Sequence, residues 1–166
     1  MTTLAVDMRK ITVRFGKVIA NSEVDFQAGW GEVHGLVGEN GAGKTTLMRV
    51  LYGMYTHHEG NLFINGEKVS FSSPKDAIAK GIGMVHQHFS LVPSMTVAEN
   101  VVIGRPPYTK GLIDLKKSEE IVARLSEEYG LEIDPRARVS DLTVGLQQRV
   151  EILKALYLGA EILIMD

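Results

Sequence analysis

The stretch Gly38-Glu39-Asn40-Gly41-Ala42-Gly43-Lys44-Thr45 has the spacing G-x-x-x-x-G-K-[ST]. Each position has a chemical reason. Glycines let the backbone curl until consecutive N–H groups converge on phosphate oxygens. A helix that starts directly after the loop offers its uncapped amides and the positive end of its dipole to the same anion. Lys44 supplies a mobile cation for the outer phosphates, the Thr45 hydroxyl a magnesium ligand, and the Thr46 hydroxyl a contact to an inner phosphate. Residues 38–45 therefore imply binding of a nucleoside triphosphate, with ATP and magnesium expected.

The flanks supply the strand and helix that this spacing needs. Val33 to Val37 is an apolar run expected to form a short buried strand, and Thr45 to Tyr52 reads as a helix ended by Gly53. Upstream, Ile11 and Val13 alternate with polar residues, and Val18-Ile19 and Val24 to Phe26 follow at strand-like spacing. Downstream, Asn65-Gly66 between apolar stretches signals a hairpin. Ser73-Pro74 opens a short capped helix, and Ile82 to Val85 is a further buried strand. From about Val92 the pattern turns helical. Thr96 caps Val97 to Ile103, Ile121, Leu125 and Tyr129 mark one helix face, and Val150, Leu153 and Leu156 mark another. The last apolar run, Ile162 to Met165, reads as a buried strand ending at Asp166.

Bulk properties narrow the class. The 166 residues suffice for one core, and a net charge of -2 shows no basic footprint for nucleic acid. The absence of cysteine removes disulfides and thiolate metal sites and fits the cytosol. No apolar run approaches the ~18 residues of a membrane span, and no secretory signal opens the chain.

Four features stand in order around the loop. Phe15 lies 29 residues before Lys44 in a glycine-containing turn. Gln87 follows the strand Ile82 to Val85, Leu142-Thr143-Val144-Gly145-Leu146-Gln147-Gln148-Arg149 opens a helix, and Asp166 closes the final apolar run. With these segments, GENGAGKTTLMRVLYGMY, SPKDAIAKGIGMVHQHFSLVPSMTVAENVVIG and LTVGLQQRVEILKALYLGAEILIMD, the chain resembles the ATP-binding subunits of ABC transporters. It looks most like the bacterial importer ATPases for nucleosides and simple sugars, and Val85-His86-Gln87-His88-Phe89 looks more like the nucleoside branch.

The resemblance implies an α/β P-loop NTPase core of ABC type, with an antiparallel β subdomain and a helical insertion, broken off after the Walker B strand. Residues 1–166 would form part of one nucleotide-binding domain: about 1–91 the β subdomain and core, 92–158 the helical subdomain, 159–166 the Walker B strand. It implies that Phe15 stacks on adenine, worth about 1–3 kcal/mol, and that residues 38–46 (Gly38, Glu39, Asn40, Gly41, Ala42, Gly43, Lys44, Thr45 and Thr46) hold the phosphates. Gln87 would join the magnesium shell or orient the attacking water, and Asp166 would hold a magnesium water opposite Thr45. Thr143, Val144 and Gly145 would grip the γ-phosphate bound by an opposing domain. Val144 and Leu146 depart from the family's Leu-Ser-Gly-Gly-Gln, so the simpler reading of Thr143 as a plain helix cap stays open. His86 and His88, at i and i+2 with no nearby carboxylate, are weak metal ligands on spacing alone.

The implied partners are a second ABC domain, transmembrane permease subunits and, indirectly, a solute-binding protein, with no nucleic acid. The implied location is the cytoplasmic face of the inner membrane. The family's general-base Glu and switch His fall beyond Asp166. The expectation is therefore a fragment of a longer polypeptide that hydrolyses ATP barely, if at all, and aggregates through its last strand. Two other classes fit the residues less well. A soluble ABC-type ATPase usually carries a coiled coil, zinc module or basic arm, and the 58 residues from Gln87 to Gly145 contain none. A P-loop kinase or GTPase gives no role to Gln87 or to Thr143 to Arg149.

Overall fold

The computed structural model describes residues 4–87 and 89–166. The chain divides into two compact units, Met1–Ile82 and Gly83–Asp166.

The first unit is built on a four-stranded antiparallel sheet of order β2-β1-β3-β4, from β1 (Leu4–Phe15), β2 (Val18–Gly29), β3 (Glu59–Ile64) and β4 (Glu67–Val69). Strand β1 buries Val6 and Met8, then Ile11 and Val13. The parity changes because the β1–β2 register shifts between Met8 and Ile11, where Lys10 takes φ 51°. One extra residue in a strand turns every later side chain to the other face, so this bulge keeps a single apolar face over twelve residues. Asp25 pins the bulge, its Oδ1 accepting the Lys10 amide at 2.7 Å. The β3–β4 turn is Asn65-Gly66, at φ 54° and 78°, the paired positive values that a two-residue hairpin demands.

Helix α1 (Lys44–Leu51) buries Leu47, Val50 and Leu51. Helix α2 (Pro74–Ala79) starts at a capping box in which Ser73 and Asp76 bond each other's backbone amides, with proline at the first helical position. The Asp76 carboxylate also accepts from the Ser72 hydroxyl at 2.6 Å and the Ser72 amide at 2.7 Å, which holds it below the usual carboxylate range.

Buried Asp7 on β1 takes two bonds from Arg9, from Nη2 at 2.6 Å and Nε at 2.9 Å, and one from Gln27 at 3.1 Å. The Arg9 bonds, aided by Gln27, hold its carboxyl below the ordinary range against the opposing effect of burial. A lowered carboxyl stabilises the fold above the unfolded value, and that contribution is lost as pH falls through the lowered value. The melting temperature is therefore expected to drop below about pH 4. Asp7→Asn should flatten that acid limb, as thermal melts across pH 2–6 would register.

Residues 32–39 correct the sequence reading. They contain no strand, and Val37 is 93% exposed rather than buried. An apolar run becomes a strand only when a neighbour completes its ladder. Among the described residues the sheet order leaves this segment no partner.

In the second unit, β5 (Ile82–Val85), whose first residue is the last of the first unit, is fully buried. Three helices follow, α3 (Val97–Val102), α4 (Leu115–Glu128) and α5 (Val144–Tyr157), with the hairpin β6 (Tyr108–Thr109) and β7 (Leu112–Ile113) before α4. Val97, Val101, Val122, Val150 and Leu153 form the helical core. Thr96 caps α3 in a second capping box with Glu99. Asn100, almost fully buried, fixes the preceding loop by accepting the Val92 amide at 2.7 Å and donating to the Val92 and Thr96 carbonyls.

The fully buried residues of α4 are Ser118, Val122 and Ser126; of the expected Ile121, Leu125 and Tyr129, Leu125 packs half-buried against the helical core and Tyr129 is exposed. Apolar counting misses two of the three buried residues because they are serines. Their hydroxyls are satisfied locally, Ser118 donating to the Asp114 carbonyl and Ser126 accepting the Ile133 amide, so both tolerate burial.

Strand β8 (Ile162–Met165) forms a two-stranded sheet with β5. Only Ile164 of β8 is buried, where four buried residues were expected. Met165 is 57% exposed, because β8 has a neighbour on one side only among the described residues.

Candidate functional site

In the first unit, α1 begins where the glycine loop ends. Gly43, at φ 86°, caps the helix without a side chain, and no acidic residue lies in its first turn. Gly41 also has positive φ, 84°. Two left-handed glycines flanking Ala42 curl the loop into the concave run of amides that anion sites use. The Lys44 ammonium folds back over this curl, donating to the carbonyls of Gly38 and Glu39 at 2.7 Å each. The Ala42 amide bonds the Glu39 carbonyl at 3.2 Å and tightens the turn. The lysine therefore straps the loop while it carries the positive charge, and Thr45 and Thr46 sit in the first helical turn beside it.

This arrangement fits a triphosphate: a glycine curl, an uncapped eight-residue helix and one cation converge on one place. Among the described residues no group of three His, Cys, Asp or Glu could hold a metal by itself. The Thr45 hydroxyl, in the first turn of α1, is of a chemistry that could ligate a magnesium ion carried by a triphosphate.

Asn21 is a functional residue that no sequence motif marks. It is buried on β2, and its Nδ2 donates to the Gly43 carbonyl at 3.3 Å. A Cβ at Gly43 would stand 2.4 Å from the Ala20 carbonyl oxygen and 2.7 Å from Asn21 Nδ2. Strand β2 thus buttresses the loop, and the only sequence signal was an amide in an otherwise strand-like stretch. Phe15 ends β1 and is 46% exposed, as a stacking surface must be, with its ring 5.2 Å from that of Tyr55.

In the second unit, the ends of β5 and β8 bring two of the expected residues into one neighbourhood. The Asp166 amide donates to the Val85 carbonyl at 3.1 Å, and exposed Gln87 lies two residues beyond Val85. Carboxyl ends of adjacent strands are where open α/β sheets place ligand-binding groups. His86 follows β5 directly, and His88 lies outside the described residues.

Thr143 caps α5, its hydroxyl accepting the Leu146 amide at 3.4 Å, as the simpler reading of this threonine expects. Val144 is 71% exposed, and a Cβ on Gly145 would meet nothing within 4 Å, so the helix opens onto unobstructed surface. Two turns along α5, Glu151 is buried, a placement its charge alone argues against. Its Oε1 accepts the Ser90 amide at 2.6 Å and the Ser90 hydroxyl at 3.2 Å, while Lys154 donates to the Ser90 carbonyl at 3.4 Å. The stretch following Gln87 is thereby fastened to the helix that Thr143 opens.

The sheet, the curled glycine loop and the lysine-strapped helix define a phosphate-loop nucleotide-binding protein. Residues 21–166 match the ABC transporter family. The chain belongs to that family. It is 50% identical, over 97% of its length, to the guanosine import ATP-binding protein NupO of Bacillus subtilis, and 49% identical over 97% to the nucleoside import ATP-binding protein NupA of Lactococcus lactis. It covers 32% of each, so the chain spans about a third of the length of the curated relatives it matches. A nucleotide-free ATP-binding cassette from an ABC transporter superposes with a TM-score of 0.83 at 25% identity, covering 98% of this chain and 68% of that one.

Proposed function

We propose that the chain is the ATP-gripping part of an ABC importer subunit that couples ATP binding and hydrolysis to uptake of a nucleoside or simple sugar. The observation that carries this reading is the Lys44 strap across the glycine curl at the amino end of α1. The names of the relatives, guanosine and nucleoside import, favour the nucleoside.

Each residue has a role in this reading. Phe15 stacks on adenine. The loop of residues 38–46, with Lys44, holds the phosphates, and the Thr45 hydroxyl would be a ligand to the nucleotide's magnesium. Magnesium, when bound, neutralises charge that builds on the transferring phosphoryl group. By the family resemblance, Gln87 would join the magnesium shell or orient the attacking water, and Asp166 would help hold the hydrated ion. Thr143, Val144 and Gly145 present a helix amino end to the nucleotide of an opposing ABC domain, by the same physics as α1. No residue of these 166 is assigned the general base. Permease subunits take the helical part of the second unit as their seat, which places the protein against the cytoplasmic face of the membrane. A solute-binding protein delivers the cargo.

Equilibrium titration with MgATP and MgGTP tests the first step. Saturable MgATP binding is expected, weakened when magnesium is chelated. Absence of saturable binding to either nucleotide would overturn the reading.

A further inference from the structure

The two ends of α1 do different things. Its amino end faces the glycine loop, while its carboxyl end carries Arg49, whose carbonyl accepts the amides of Met54 at 2.8 Å and Tyr55 at 3.2 Å. The Arg49 guanidinium then reaches Tyr55 a second time, Nη1 donating to the hydroxyl at 3.1 Å with the guanidinium carbon 6.0 Å from the ring centroid. Tyr55 is therefore held at its backbone and at its ring tip by one residue. Its ring meets Phe15 at 5.2 Å and 72°, an edge-to-face contact with a preferred geometry. Arg49 Nε is buried with no hydrogen-bond partner among the described residues, so the guanidinium is committed to this position at a desolvation cost. Phe15 ends a strand next to a Gly16 turn, and nearly half its surface is open. The Tyr55 edge therefore bears on a ring that is otherwise half open.

We propose that Tyr55, clamped by Arg49, is the positioning residue that sets the attitude of the Phe15 base platform and ties the nucleobase to the helix that holds the phosphates. This rests on the reading of Phe15 as that platform. Helix α1 then carries both halves of nucleotide recognition: phosphates at one end directly, the base at the other through two rings.

Magnesium tripolyphosphate has the phosphates and no base, so comparing it with MgATP separates the two halves. Tyr55→Ala is expected to weaken MgATP about threefold to tenfold and to leave tripolyphosphate affinity unchanged. Tyr55→Phe, which keeps the ring and loses only the clamp, should fall between. In a Phe15→Ala background, Tyr55→Ala should add little, because the ring it positions is gone. Equal loss on both ligands, no loss on ATP, or full additivity with Phe15→Ala would each overturn the proposal. If Phe15→Ala alone leaves ATP affinity intact, the platform reading itself fails. If Phe15→Ala weakens ATP and Tyr55→Ala does not, only the positioning role fails. Should Tyr55→Ala not fold, Arg49→Lys reads the same split: a loss confined to ATP is expected, and an equal loss on tripolyphosphate overturns the proposal.

Discussion

Lys44→Ala is expected to lower MgATP affinity at least a hundredfold while leaving the melting temperature nearly unchanged. The ammonium is the one side-chain cation built into the loop's own curl, bonded at 2.7 Å to the carbonyls of both Gly38 and Glu39. Its removal takes away the charge that meets the outer phosphates and the strap that keeps the amides aimed at them. Hydrogen bonds to charged groups contribute about 1.5–3 kcal/mol each. Two such contacts to phosphate amount to at least about 3 kcal/mol, or about a hundredfold. The side chain is only half-buried, and its bonds are to the loop rather than to the sheet, so the fold should tolerate the loss. Isothermal titration beside a thermal melt measures both quantities. Unchanged affinity would count heavily against the assignment of the loop.

Gly43→Ala should be as damaging by a different route. Its φ of 86° lies in the left-handed region, where a side chain costs about 1–2 kcal/mol. The added methyl would also stand 2.4 Å from the Ala20 carbonyl oxygen, well inside contact distance, and the obstacle is backbone of β2 rather than a movable side-chain tip. The loop must therefore shift, breaking the Asn21 bond to the Gly43 carbonyl and displacing the first turn of α1. Nucleotide binding is expected to fall at least tenfold, and the melting temperature should drop by several degrees. The two variants separate cleanly: Lys44→Ala loses binding alone, Gly43→Ala loses binding and stability together. A Gly43→Ala protein with normal affinity would show that β2 does not buttress the loop.

Local chemistry made much of this molecule legible from its residues. The glycine loop, the Asn65-Gly66 turn and the Ser73, Thr96 and Thr143 caps rest on contacts within a few residues, and each lies where its sequence signal points. What was illegible depends on distant partners. Asn21 acquires its role from Gly43, 22 positions away, and Glu151 from Ser90, 61 positions away. Neither residue type announces such a bond. Val33 to Val37 failed in the opposite sense, since apolarity marks a strand's faces but says nothing of who completes its edges. On α4, Leu125 is legible as a core-facing residue, while Ser118 and Ser126 are not, because satisfied serines pass for surface in any apolar count.

The Glu151–Ser90 fastening has a mechanical corollary. Glu151 stands eight residues past Thr143 on one uninterrupted helix, a stiff rod of about 12 Å between them. The segment at Ser90 and the helix end at Gly145 are thus joined through one carboxylate contact and two turns of helix. Cutting that carboxylate contact, as in Glu151→Gln, is therefore expected to loosen the Ser90 segment and the amino end of α5 together, which hydrogen exchange at both places would register.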